Sequence, residues 1–366
     1  MKGSEKGVKR SERTDAIVPS LPLASFHVFT LLFFFLLLPS SASSQISGLN
    51  ALTVFDLAST SRTAGLGMDY LSVFGDDLTV AIDNPSLLHG DMEGRGVLSF
   101  VPMFAGSSVG SLTYAHNTGR LGTVAYGFHF YNYGRFDRYD EAEMDDGTFG
   151  AGDYALQIGW GMWLDSHFTF GVNFKPVLSQ YEQYKALAVA FDVAASYVGD
   201  SRAFSATMML RNVGAQIATF DGTRERLPFE LSAALSYKLK NAPFRLFFAV
   251  TELQRWNLRY NDPLNPTSVT DPFTGEVHEE AWVAGFFDNL MRHTLFGVEL
   301  NLGKSFYGRL GYSYRQSAEM HGVDAFNLSG FSVGMGIKTR RFEFGYSRRN
   351  YHLSQALNYL TLSYQF

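Results

Sequence analysis

From Gly96 to the last residue, apolar and polar side chains alternate in one segment after another. Val124, Tyr126, Phe128 and Phe130 share one parity, with Thr123, Gly127 and His129 on the other. Phe168, Phe170, Val172 and Phe174 oppose Thr169, Gly171, Asn173 and Lys175, and Phe342, Phe344 and Tyr346 oppose Glu343, Gly345 and Ser347. The chain ends in the same way, with Leu360, Leu362, Tyr364 and Phe366 against Thr361, Ser363 and Gln365. Successive side chains of a strand point to opposite faces, so each segment predicts a strand with one apolar face. The predicted strands are 96–104, 108–116, 121–133, 149–163, 167–180, 185–199, 203–213, 227–239, 243–252, 292–302, 305–315, 328–338, 341–348 and 357–366. Many run to ten residues or more, longer than the usual strand of a soluble sheet and suited to a tilted strand crossing a bilayer.

The connections sharpen the prediction. Gaps of two to four residues, at 117–120, 164–166, 200–202, 240–242, 303–304 and 339–340, follow the even-numbered strands. Longer gaps, at 134–148, 214–226, 253–291, 316–327 and 349–356, follow most odd-numbered ones. Outer-membrane barrels pair short periplasmic turns with longer extracellular loops on an even number of antiparallel strands. The prediction is an all-β transmembrane antiparallel barrel of about 14 strands, with both ends on the periplasmic side. An aromatic last residue on the apolar face also resembles the terminal signal of such barrels, so Tyr364 and Phe366 are assigned as the barrel-assembly signal, read by the assembly machinery during biogenesis.

The start of the chain reads differently. Lys2, Lys6, Lys9, Arg10 and Arg13 form a basic region, 29–38 is apolar apart from Thr30, and small residues follow with Ala42 and Ser44 at the expected cleavage positions. Residues 1–44 are predicted to be a signal peptide, 45–95 an N-terminal periplasmic plug with short helices, and 96–366 the barrel. The plug segment holds small residues from Ala58 to Gly67, then Asp76-Asp77, then the turn-forming Asp83-Asn84-Pro85, assigned as the plug motif.

Composition narrows the chemistry. The 33 Phe, 19 Tyr and 35 Gly occur with a mean hydropathy of only -0.05, which suits strands with one apolar face better than apolar helices. There is no cysteine, hence no disulfide or thiolate metal site, and the net charge of -5 disfavours nucleic acid. Gly330-Phe331-Ser332-Val333-Gly334 matches a nucleophile-elbow pattern, but the run continues as a strand and lacks the required strand-to-helix turn. Gly65-Leu66-Gly67 lacks the third glycine and preceding strand of a nucleotide fingerprint. His278-Glu279-Glu280, with Asp262, Asp271 and Glu276 nearby, has no defined metal-ligand spacing. The acidic run Asp137, Asp140, Glu141, Glu143, Asp145 and Asp146 reads as a solvated loop. No metal, cofactor or catalytic residue is expected. Lys175, Arg245, Glu299, Arg309, Arg315, Arg341 and Glu343 are expected on the lumen side, because charges facing lipid are costly, and there they can pair into a filled interior, the alternative being a solute or proton path.

The plug pattern around Ala64-Gly65-Leu66-Gly67, Asp76-Asp77 and Asp83-Asn84-Pro85-Ser86-Leu87-Leu88 resembles the start of FadL-like outer-membrane proteins. With Asp153-Tyr154-Ala155-Leu156, Leu227-Pro228-Phe229-Glu230-Leu231, Leu253-Gln254-Arg255-Trp256 and Leu290-Met291-Arg292-His293, the chain is similar to the PorV/PorQ family of the type IX secretion system of Bacteroidota. The resemblance runs from about Leu49 to Phe366, and the long polar extension before the apolar run departs from it. It implies a barrel of fourteen strands with a plug, scaffolding a surface attachment complex for exported cargo with PorU, PorV and PorZ as partners. The long loop 253–291, with Trp256, Trp282, Phe286 and Phe287, is the expected contact, since exposed aromatics are frequent interface anchors, the alternative for some of them being the upper membrane girdle. The rival expectation is a FadL-like channel for hydrophobic small molecules, with the plug as its gate.

Overall fold

The computed structural model describes residues 57–69, 71–140, 142, 144–259, 268–270, 277–279, 282–303, 305–319, 328–352 and 355–366. The predicted signal peptide and residues 45–56 of the plug lie outside the described residues.

Fourteen antiparallel strands close into one barrel. They are β1 (Arg95–Pro102), β2 (Ser108–Asn117), β3 (Thr123–Tyr139), β4 (Asp145–Trp163), β5 (Phe168–Tyr181), β6 (Tyr184–Val198), β7 (Phe204–Ala218), β8 (Glu230–Lys238), β9 (Phe244–Val250), β10 (Thr294–Leu302), β11 (Phe306–Ser313), β12 (Phe331–Lys338), β13 (Phe342–His352) and β14 (Gln355–Gln365). Each pairs with its neighbours in sequence, and β1 meets β14 with Arg95 opposite Gln365 and Leu98 opposite Leu362. Closure leaves no unpaired edge, the condition for a sheet to cross hydrocarbon. No helix among the described residues is long and apolar enough to cross a membrane.

The side-chain alternation sorts the wall into two faces. Leu98, Leu112, Phe128, Leu310, Phe344 and Leu362 are exposed on the outside, while Ser99, Thr113, Ser236, Arg309, Ser347 and Thr361 are buried inside. An apolar exterior around a polar interior is the inverse of a soluble protein and matches a bilayer as outer solvent. The chain is an outer-membrane-type β-barrel.

Three expected features are corrected. The predicted loop 134–148 is mostly strand, because β3 and β4 continue to Tyr139 and from Asp145 as one long hairpin. Its alternating charged and aromatic residues have the period of a strand without the apolar face of a membrane span. Arg315 does not face the lumen from a strand: it lies in the short helix α4 (Tyr314–Glu319), paired with Glu252 and Glu319. Arg341 is exposed at the β12–β13 turn. Lys175, Arg245, Glu299, Arg309 and Glu343 are buried on the lumen side, as the alternation requires.

Candidate functional site

The N-terminal segment is inserted in the lumen rather than capping the barrel from below. Helix α1 (Ser61–Gly65) starts at Thr60, which forms a reciprocal capping box with Thr63. Helix α2 (Leu78–Ala81) starts at Asp77, whose side chain accepts from the Thr79 amide at 2.9 Å. Leu66, Met68, Leu71, Leu78, Ile82, Leu87 and Leu88 are almost completely buried and supply the apolar contacts between plug and wall.

The wall makes room for them at glycines. A Cβ on Gly171 would lie 2.2 Å from the Pro85 carbonyl carbon, and one on Gly311 would lie 2.1 Å from that of Leu66. These inward glycines therefore let plug backbone approach wall backbone where no other residue fits. Within the plug motif, the Asn84 side chain donates to the Leu71 carbonyl at 3.0 Å and to the Thr207 hydroxyl at 3.1 Å. Pro85 opens a short 3₁₀ turn, and the Ser86 hydroxyl lies 2.6 Å from that of Ser196.

Charge locks the same segment. Arg62 bridges Asp77 of the plug at 2.5 Å and Glu299 of β10 at 3.0 Å, and Glu299 is held in turn by Arg309 at 2.8 Å. Burial alone would lower the Arg62 pKa, but Glu299 and Asp77 hold it above its usual value. Burial would likewise raise Asp77, yet Arg62 and the Thr79 hydrogen bond keep it well below the carboxylate range. At the short-turn mouth Asp76 meets Arg95 and Lys338, each at 3.1 Å, and elsewhere Arg349 meets Asp69 at 3.1 Å.

Asp83 is the exception. Its Oδ1 accepts from the Ser59 hydroxyl at 2.5 Å, and its Oδ2 has no hydrogen-bond partner among the described residues. Burial pushes its pKa up to about 7. It borders a cavity of about 40 Å³ that is also lined by His129, Gln157, Lys175, Asp192 and Arg211. A second cavity of about 20 Å³ lies between Leu57–Ser59 and Ser99, Val101 and Ser111. These spaces hold a water or two, not a solute.

At the outer end the structure brings the four sequence-predicted aromatics together. Helix α3 (Trp282–Arg292) carries three of them, with Trp282 and Phe286 ring centroids 5.8 Å apart and Phe286 and Phe287 5.7 Å apart. Trp256 completes the group 5.7 Å from Phe286, and it stacks on His293. The opposite edge of α3 is polar and fastened to the rim. Asn289 accepts from the Leu258 amide at 2.9 Å and donates to the Trp256 carbonyl, while Asp288 meets Tyr314, Arg259 and Arg292.

The remaining candidates are quickly placed. Tyr364 packs against Phe342 and Phe366 on the outer face, and the Phe366 amide donates to the Gly94 carbonyl at 3.0 Å. Ser332 is buried in the unbroken strand β12, facing Gly67 of the plug. Asp137, Asp145 and Asp146 are exposed near the tip of the β3–β4 hairpin, where Asp140 accepts from the Ala142 and Met144 amides. Asp262, Asp271, Glu276 and Glu280 lie outside the described residues, and so do the side chains of His278 and Glu279. Among the described residues no group of three or more His, Asp or Glu is placed to hold a metal.

Sequence reasoning missed Arg62, the central cation of the plug, and Asp192, which pairs with Lys175 at 2.6 Å. The available signal for Arg62 was a lone charge inside a run of small residues.

No protein-family model matches the chain, and no curated protein does. Among solved structures it is similar to the toluene transporter TbuX of Ralstonia pickettii, with 9% identity and a TM-score of 0.47 over 88% of this chain and 100% of that one. It is similar to the toluene transporter TodX of Pseudomonas putida, at 12% identity and 0.46 over 84% of this chain and 97% of that one. A FadL homologue of Pseudomonas aeruginosa aligns at 10% identity and 0.43, over 85% of this chain and 99% of that one. The assignment as an outer-membrane-type barrel rests on the chain's own closed sheet and apolar outer face.

Proposed function

We propose that the chain is a sealed outer-membrane barrel that holds a protein partner at the cell surface. In this reading it is a PorQ-like, non-enzymatic scaffold of the type IX secretion system, acting in the attachment complex with PorU, PorV and PorZ. The observation that carries the sealed-scaffold reading is the interior. The plug is clamped to β10 by the buried Arg62–Glu299 pair and to β13 by Arg349–Asp69, and the cavities bordering it are water-sized. A pocket for a small hydrophobic ligand is mostly apolar and several hundred Å³. The secretion-system part of the reading is supported by the sequence resemblance alone.

The second reading, a channel for hydrophobic compounds, has one observation in its favour. A groove of about 460 Å³ lies beside the bulge of β3 at Asn132–Gly134, lined by Phe130, Phe149 and Tyr154 with Asn132, Gln180 and Glu182. Phe130 and Tyr154 belong to the outward parity of the wall, so this groove is a feature of its outer surface.

Two measurements test the scaffold. Vesicles containing the reconstituted barrel should take up a labelled hydrocarbon no faster than empty vesicles. Deleting residues 262–280 should release the surface partner while the barrel keeps its heat-modifiable migration. Rapid uptake, or a partner retained by the deletion variant, would overturn the proposal.

A further inference from the structure

The barrel wall is not the same height all round. Strands β3 and β4 have 17 and 19 residues, whereas β9 has only seven. Its backbone bonding continues beyond the regular strand: the Pro243 carbonyl accepts from the Asn301 amide, and the Thr251 and Leu253 amides donate to the His293 and Leu231 carbonyls. The apolar band of an outer-membrane barrel is about 25 Å tall. At about 3.4 Å per residue and a tilt of 35–45°, residues 243–253 rise roughly 24–28 Å, so the wall here ends close to the top of that band.

Helix α3 stands at that place. It joins β10, the partner of β9, through His293 alone, and the outward rings of Phe248 and Phe296 lie just below on the two strands, 5.3 Å apart. Its polar edge is bonded to the rim through Asp288 and Asn289, and Arg292 pairs with Asp288 on the helix itself. Its other face projects Trp282, Val283 and Phe287, which are 80%, 56% and 58% exposed, with Phe286 and Trp256 beside them. An apolar, aromatic face backed by a charged edge is the composition of a helix that lies in a membrane interface. Trp in particular concentrates at the boundary of headgroup and acyl chain.

We propose that α3 is seated in the outer leaflet, with Trp282, Phe286 and Phe287 among lipid, extending the lipid-facing band above β9 and β10. The occupant of this aromatic face is then lipid, continuous with the belt below it, and not a protein. The inference is independent of the scaffold reading, and it shifts protein contact in this loop away from the aromatics.

The chain has four Trp, at positions 160, 163, 256 and 282. Replacing the first three by Phe leaves Trp282 as sole reporter in barrels reconstituted into phosphatidylcholine vesicles. Lipid brominated near the headgroup end of its acyl chains should quench Trp282 several times more strongly than aqueous iodide does. Quenching by iodide but not by brominated lipid would overturn the proposal, because the helix would then stand in water. Shielding from both quenchers would overturn it too, because protein would cover the face. If the single-Trp barrel fails to fold, the same comparison is made between the natural chain and Trp282→Phe, where the lipid-quenchable emission lost on substitution reports the same residue.

Discussion

Replacing Arg62 by Met removes the cation that ties the plug to β10 while keeping most of the volume of the side chain. Arg62 lies between Asp77 and Glu299, whose side chains are 6% and 4% exposed, so neither anion can turn to water for compensation. Removing one partner of a buried pair typically costs about 3–5 kcal/mol. Here the lower end applies, at roughly 3 kcal/mol, because Glu299 keeps Arg309 and Asp77 keeps the Thr79 amide. At about 1.4 kcal/mol per decade, that raises the unseated fraction of the plug roughly a hundredfold. The amides of Ala64, Gly67, Ile82 and Asn84 are hydrogen-bonded within the plug and report on its opening by hydrogen exchange. Their protection in detergent-solubilised barrels should fall by that factor, while amides of β3 to β7 remain unchanged. Unaltered plug protection in Arg62→Met would refute the view that this ion pair seats the plug.

Asp83 gives the plug a pH dependence of definite sign. It keeps its proton up to about pH 7 when seated, whereas an exposed Asp loses it near pH 4, so plug seating weakens as pH rises through that window. Plug protection should fall between about pH 4 and 7 in the natural chain and lose that slope in Asp83→Asn; an identical slope in the variant would exclude Asp83 as its source. Gly311→Ala should drive the plug from its seat, because the new methyl would meet Leu66 backbone at 2.1 Å, while Gly308→Ala, with nothing within 4 Å, should be silent. Protease sensitivity of the plug in folded barrels distinguishes the two, and equal resistance would contradict the close-packing account.

The barrel was legible because its solvent is legible: a wall between lipid and a polar lumen forces a period of two over every span. Phe342, Phe344 and Tyr346 faced lipid, and Glu343 and Ser347 the plug, as their parity required. What parity could not carry was the identity of the partner on the polar side. Gly171 and Gly311 look like ordinary polar-face residues in the sequence, and only the inserted plug shows that their missing side chains are the contact. The ends of the long strands were lost for a related reason. Above the membrane β3 has water outside, so Arg135, Asp137 and Arg138 replace the apolar face that marked the rest of the strand. Helix α3 is eleven residues inside a long connection, too short to show a clear period, although its aromatics were singled out by composition. Arg315 was misplaced because β11 ends at Ser313 and the chain turns into α4, a change that no glycine or proline announces.

The most direct test of the central claim is to purify the tagged, full-length barrel from native outer membranes after mild crosslinking and identify what comes with it. A sealed scaffold predicts surface-exposed proteins in stoichiometric amount, PorZ, PorU or PorV among them, lost when residues 262–280 are removed. Recovery of the barrel alone, carrying a hydrophobic small molecule in its lumen, would contradict the claim and make transport the better account.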